Sequence, residues 1–125
     1  MPTPYPGTLP LVLVAEDYGT IGMMLAEELV EAGFGVSGPF SSCDAAMDSL
    51  DKEPPHAAIL DIELIDGACV ALARELKSRH IPFIVLTGHA PTSSHDDAFS
   101  GVPWLTKPFG HEEIIGAVRA LPLAR

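Results

Sequence analysis

The chain has 125 residues, the size of one domain, and 47% of them are hydrophobic, enough to bury one core. Its formal net charge is −10, so the basic footprint needed for nucleic acid or an anionic membrane is missing. No run reaches the ~18 apolar residues of a membrane-spanning helix.

The Pro-rich start, MPTPYPGTLP, lacks the basic and apolar regions of a signal peptide. Residues 1–8 are expected to be a flexible tail and residues 9–125 one domain. The apolar pattern then alternates between two periods. Leu9 to Ala15 is a short continuous strand run. Ile21, Met24, Leu25, Leu29 and Ala32 follow helical spacing up to Gly33. From Phe34, FGVSGPF is a weaker strand ending at Gly38-Pro39. Cys43, Ala46, Met47 and Leu50 mark a second helix, closed by Pro54-Pro55. Ala57 to Leu60 is a third strand and Cys69, Leu72, Ala73 and Leu76 a third helix. Pro82 to Thr87 and Val102 to Thr106 are further strands, and Ile114, Ile115, Val118 and Leu121 mark the last helix.

Strands alternating with helices imply βαβ units and an α/β fold. The expectation is a doubly wound five-stranded parallel sheet of order 2-1-3-4-5. Residues 88–101, GHAPTSSHDDAFSG, stand where a fourth crossover helix belongs but offer only Ala90, Ala98 and Phe99 as apolar anchors. Any helix there should be short or mobile. Cys43 and Cys69 show no metal-ligand spacing, and on count alone they could form one disulfide. Both fall on apolar helix faces, so reduced core thiols in a cytoplasmic protein are expected.

Ligands of open parallel sheets bind outside the carboxyl ends of the strands. The first strand ends in Glu16-Asp17, the third in Asp61, the fourth in Thr87-Gly88 and the fifth in Lys107-Pro108. Clustered carboxylates repel, so a divalent cation or a lysine must offset them. Hard oxygen ligands suit Mg²⁺. Carboxylates with Mg²⁺, a lysine and a threonine hydroxyl are the parts needed to receive a phosphoryl group. Each residue has a plainer explanation alone: an acidic pair starts a helix, a threonine sits in a turn, a Lys-Pro sits in a loop. Their coincidence at the matching strand ends favours the chemical reading. His56, His80, His89, His95 and His111 show no ligand spacing, and Ser93, Ser94, His95 and Asp96 read as a polar loop, since triads are set in space and not by adjacency.

From Leu9 to Leu121 the constellation resembles the receiver domain of two-component response regulators. The resemblance implies that Glu16 and Asp17 are the acidic pair for Mg²⁺, with Asp61 and the backbone carbonyl of Glu63 as further ligands. It implies Asp61 as phosphoacceptor, Thr87 as the switch hydroxyl, Lys107 of the KPF motif as the site lysine and Trp104 as the switch aromatic. Glu63 and His89 would tune the phosphoryl lifetime. Lys107, with its head at the site, is expected to be removable without harm to the fold. The stretch PFIVLTGHA is similar to the PFxFATGY stretch of a mainly alpha-proteobacterial subgroup, with Leu86 and His89 departing from it. The loop LeuIleAspGly, Leu64 to Gly67, departs from the usual Pro-Gly. These features imply no enzyme but a cytoplasmic monomer or weak homodimer. A histidine kinase or phosphotransfer protein would load it, and output would pass through a protein partner, with no nucleic acid or membrane. It could equally act as a phosphate sink or shuttle. The rival is a haloacid-dehalogenase-like, Mg²⁺-dependent phosphatase, which wants a second Asp where Glu63 stands and its nucleophile on the first strand.

Overall fold

A computed structural model describes residues 9–16, 19–62, 69–88 and 97–123. The expected tail and the calls on Asp17, Glu63 and His89 lie outside these residues. Five strands, β1 (Leu11–Ala15), β2 (Gly35–Phe40), β3 (Ala57–Asp61), β4 (Phe83–Thr87) and β5 (Trp104–Thr106), form one parallel sheet. Its order is β2-β1-β3-β4-β5, as expected. The helices are α1 (Gly19–Glu31), α2 (Cys43–Lys52), α3 (Val70–Ser78) and α4 (His111–Arg119). Where a fourth crossover helix was in question, the described residues hold a single 3₁₀ turn, Asp97–Phe99, anchored by buried Ala98 and Phe99.

Alternate residues of a strand face opposite layers. Val12, Val14, Ile59, Ile84 and Leu86 pack against Leu25 and Leu29 of α1 and Ile114, Ile115 and Val118 of α4. Leu13, Ala15, Ala58, Leu60, Phe83 and Val85 pack against Ala46 and Leu50 of α2, Leu72, Ala73 and Leu76 of α3, and Phe99. Both faces are covered, so β1, β3 and β4 read as unbroken apolar runs. Met24, placed by spacing on the buried stripe of α1, is instead exposed; Gly22 takes the inner position. The reason is close approach: a Cβ at Gly22 would lie 3.0 Å from the ring of Pro39.

Strand β2 passes through Gly38-Pro39 rather than ending there. Gly38 has φ +105, and a Cβ there would stand 2.6 Å from the carbonyl oxygen of Val14. The β1–β2 register shifts between Leu13 and Ala15. Beyond this irregularity Phe40 still accepts a hydrogen bond from the backbone of Glu16 at 2.9 Å, so β2 fixes where Glu16 leaves β1.

Cys43 and Cys69 correct the sequence expectation: they form a disulfide, with Cα atoms 5.4 Å apart, within the native range. Cys69 is not on the buried face of α3 but at its N-cap, in the left-handed region (φ 54, ψ 53) and with no side-chain cap. That conformation costs a non-glycine residue about 1–2 kcal/mol. The periodicity of Cys69 with Leu72 and Ala73 concealed this, because a cap position one turn before a buried residue has the same spacing. At the far ends of the same two helices, Arg79 Nε donates to Glu75 Oε2 at 2.7 Å and Nη2 donates to Asp51 Oδ1 at 2.8 Å. Helices α2 and α3 are thus tied at their starts by sulfur and at their ends by a guanidinium.

Gly38 tests this account of β2. Gly38→Ala should lower the unfolding free energy by more than about 1 kcal/mol, since the backbone is left-handed and the added Cβ meets a carbonyl. Urea denaturation showing a change below half that size would mean that β2 does not need the irregularity.

Candidate functional site

The carboxyl edge of the sheet collects the polar residues of the core. Among the described residues the buried polar or charged side chains are Glu16, Ser37, Ser49, Asp61 and Thr87, and Glu16, Asp61 and Thr87 lie at strand ends on this edge. Asp61 is the last residue of β3 and 1% exposed. Glu16 follows β1 directly and is 2% exposed. Lys107 follows β5, and its backbone N–H donates to the carbonyl of Thr87, the last residue of β4, at 2.8 Å. The Lys107–Pro108 peptide bond is cis.

Strand periodicity explains why the charged groups meet. Glu16 continues the row Val12-Val14, Asp61 follows Ile59 and Lys107 follows Leu105, and these rows all face α1 and α4. Lys107 Nζ donates to Glu16 Oε1 and to Asp61 Oδ2, each at 2.9 Å. One ammonium therefore serves two buried carboxylates. Burial pushes the Glu16 carboxyl up to about 7; Asp61 beside it also raises it, and the bond from Lys107 only partly offsets this. For Lys107 burial pulls downward, but its bonds to Glu16 and Asp61 outweigh it and the net shift is upward.

The triad carries one positive and two negative groups when fully ionised, and its oxygens are hard donors. The residues present therefore fit a hard divalent cation such as Mg²⁺. Among the described residues, no group of three or more His, Cys, Asp or Glu side chains could by itself hold a metal.

The structure thus brings together Glu16, Asp61 and Lys107 and places Thr87 at the end of the intervening strand. Trp104 lies on the opposite face of β5, among the residues packed with α2 and α3. Its Nε1 donates to the carbonyl of Phe99 at 3.1 Å, and the two rings meet edge to face with centroids 6.3 Å apart. Sequence reasoning recognised Lys107 but not how fully the carboxylates depend on it. Removing it would leave two buried carboxylates without their shared cation, so Lys107→Ala is expected to lower stability. Two other histidines make structural contacts: His56 Nδ1 accepts from the Leu11 N–H at 2.8 Å, and His111 meets Glu28 at 3.2 Å between α4 and α1. A cleft of about 530 Å³ lies at the other edge of the sheet, against Ile81, Pro82 and Pro103, which precede β4 and β5.

A pH dependence follows for the metal-free protein. Folded Glu16 keeps a proton to about pH 7 that the unfolded chain releases near 4.5. Between those values the folded state binds more protons, so this group lowers stability as pH rises and its cost is fully present above 7. The Lys107 contribution has the opposite form, present below 10.5 and lost as pH climbs through its higher folded value. Glu16→Gln should therefore be more stable than wild type at pH 7.5 by about 1–3 kcal/mol and indistinguishable at pH 4. Urea unfolding in chelator at both values measures this; equal stability at pH 7.5 would show that Glu16 is not strained by burial.

Comparison with known proteins agrees with this geometry. Residues 12–119 match the family model described as the response regulator receiver domain. The chain is 30% identical over 110 residues to the transcriptional regulatory protein PdtaR of Mycobacterium tuberculosis, covering 86% of this chain and 54% of that one. It is 31% identical over 121 residues to the transcriptional regulatory protein PrrA of Mycobacterium bovis, covering 91% and 50%. The chain thus spans about half the length of these relatives. Among solved structures, the non-phosphorylated HemR receiver domain from Leptospira biflexa superposes with a TM-score of 0.78 at 26% identity, covering 93% of this chain and 97% of that one. The match favours a receiver over the phosphatase considered from sequence. Receiver domains are in general signalling modules rather than enzymes, bind Mg²⁺ at the phosphorylation site and take phosphoryl groups from histidine kinases. No described helix is long and apolar enough to cross a membrane. The matched residues span all five strands and the four helices around them, and the chain belongs to the response regulator receiver family, the phosphoacceptor modules of two-component signalling.

Proposed function

We propose that Asp61 is the phosphoacceptor, loaded by a histidine kinase or phosphotransfer protein, and that the phosphorylated domain changes its binding to a protein partner in the cytoplasm. The observation that carries this reading is the Asp61 carboxylate, 1% exposed at the tip of β3 and held at 2.9 Å by Lys107. The hydrogen bond orients the carboxylate, and one of its oxygens would attack phosphorus in line. As the new P–O bond forms, the P–N bond of a donor phosphohistidine breaks and the imidazole leaves with the electron pair. Lys107 can then pair with a phosphoryl oxygen, and the Thr87 hydroxyl, at the end of the neighbouring strand, can donate to another. Mg²⁺, which on the family resemblance Asp61, Asp17 and the Glu63 carbonyl would hold, with Glu16 acting through water, would neutralise the phosphoryl oxygens. Glu63 and His89 are proposed to tune how long the phosphoryl group survives.

Trp104 supplies the proposed route outward. Its bond to Phe99 ties β5 to the 3₁₀ turn. Rotation of Thr87 toward a phosphoryl group would free space on the face that Trp104 shares, and any inward movement of the indole would pull on residues 97–99. Such a coupled shift of side chain and turn is an ordinary way to convert a local charge into a new surface.

The test is direct. With acetyl phosphate and Mg²⁺, the intact mass of the wild type should rise by one phosphoryl group, and that of Asp61→Asn should not. A phosphoryl group on Asp61→Asn would move the acceptor elsewhere and sink the assignment.

A further inference from the structure

Helices α2 and α3 both start at the carboxyl edge of the sheet, the edge that carries Asp61, because each follows a parallel strand. Cys43 is the first residue of α2 and Cys69 the cap of α3. Asp61 ends β3, and Cys69 caps α3, the helix that follows it in the chain. Ala73 N–H donates to the Cys69 carbonyl at 3.3 Å, which makes Cys69 the hinge of the first turn of α3. Cys69 has no side-chain cap there, and its left-handed backbone is unfavourable for a residue with a Cβ. The covalent link to Cys43 ties this start to that of α2. Both cysteines are only partly buried and within reach of a small thiol reagent. The Arg79 contacts tie the other ends of the helices and do not depend on redox state.

We infer that Cys43 and Cys69 form a reversible redox switch, which in its oxidised form clamps the start of α3 to the start of α2 at the sheet edge that carries Asp61. Disulfides of cytoplasmic proteins are characteristically transient and regulatory rather than structural. The oxidant is a low-molecular-weight disulfide such as oxidised glutathione. One protein thiolate attacks it, displacing a glutathione thiolate and forming a mixed disulfide. The second protein thiolate attacks the protein sulfur of that bond, and the second glutathione leaves as its thiolate. Two protein thiols are oxidised and one glutathione disulfide is reduced to two thiols. Reduction by a dithiol runs the same exchange backwards. Reduction leaves the Arg79 ties, so loosening is confined to the helix starts at the edge that holds Asp61.

The consequence for Asp61 rests on its reading as phosphoacceptor, and the test separates the two. The native protein is treated with oxidised glutathione or with dithiothreitol, and free thiols are counted by alkylation and mass. Amide hydrogen exchange then follows Ala73 and Arg74, and Trp104 fluorescence follows beryllofluoride binding with Mg²⁺. The oxidised form should have no free thiol, at least tenfold slower exchange at those amides and at least threefold tighter beryllofluoride binding. Cys43→Ser with Cys69→Ser should resemble the reduced form under both treatments. Two thiols that stay free under oxidant, equal exchange in both states, or equal beryllofluoride affinity overturns the switch. A missing Asp61-dependent fluorescence response in both states would overturn the acceptor reading instead, and the exchange rates would still decide the clamp.

Discussion

A single ammonium group holds two buried carboxylates at the carboxyl edge of the sheet, and the site depends on that arrangement. Lys107 lies beyond β5, Asp61 ends β3, and β4 runs between them. Only a long side chain crosses an intervening strand, and an ammonium, with three donors and no fixed plane, can divide its bonds between two acceptors. Both bonds are 2.9 Å. Burial raises the Glu16 carboxyl to about 7, and the bond from Lys107 only partly offsets it. Two carboxylates sharing one ammonium suit a divalent cation as well, and a more highly charged group gives Lys107 a reason to leave its partners.

Much of this was legible in the sequence. Strands buried on both faces must be continuous apolar runs, so a charge ending such a run, as Asp61 ends AAIL, marks a strand tip rather than a surface. The order of the strands then places Glu16, Asp61 and Lys107 on one edge, while the face they share is set by the register between strands. Of residues 88–101, poor in apolar anchors, the described part holds a 3₁₀ turn at Asp97–Phe99.

The unread parts depend on contacts between residues distant in sequence. Gly38-Pro39 signals a turn locally, but pairing with β1 carries β2 through it. Met24 has the spacing of a core residue, but the approach of Pro39 to Gly22 turns α1 and leaves Met24 outside. Cys43 and Cys69 are 26 residues apart, and only the parallel course of α2 and α3 brings their backbones together. Helical periodicity could place each cysteine near a core but not reveal that both stand at helix starts on one edge. That shared edge puts the disulfide and the carboxylate triad under the same constraint.

The most direct measurement is a crystal structure of the protein with Mg²⁺ and beryllofluoride. The account predicts beryllium bonded to an Asp61 carboxylate oxygen, with Lys107 Nζ moved from Glu16 to a fluorine and the Thr87 hydroxyl directed at another. Beryllofluoride absent from Asp61, or Lys107 still bridging Glu16 and Asp61 beside a bound group, would contradict it.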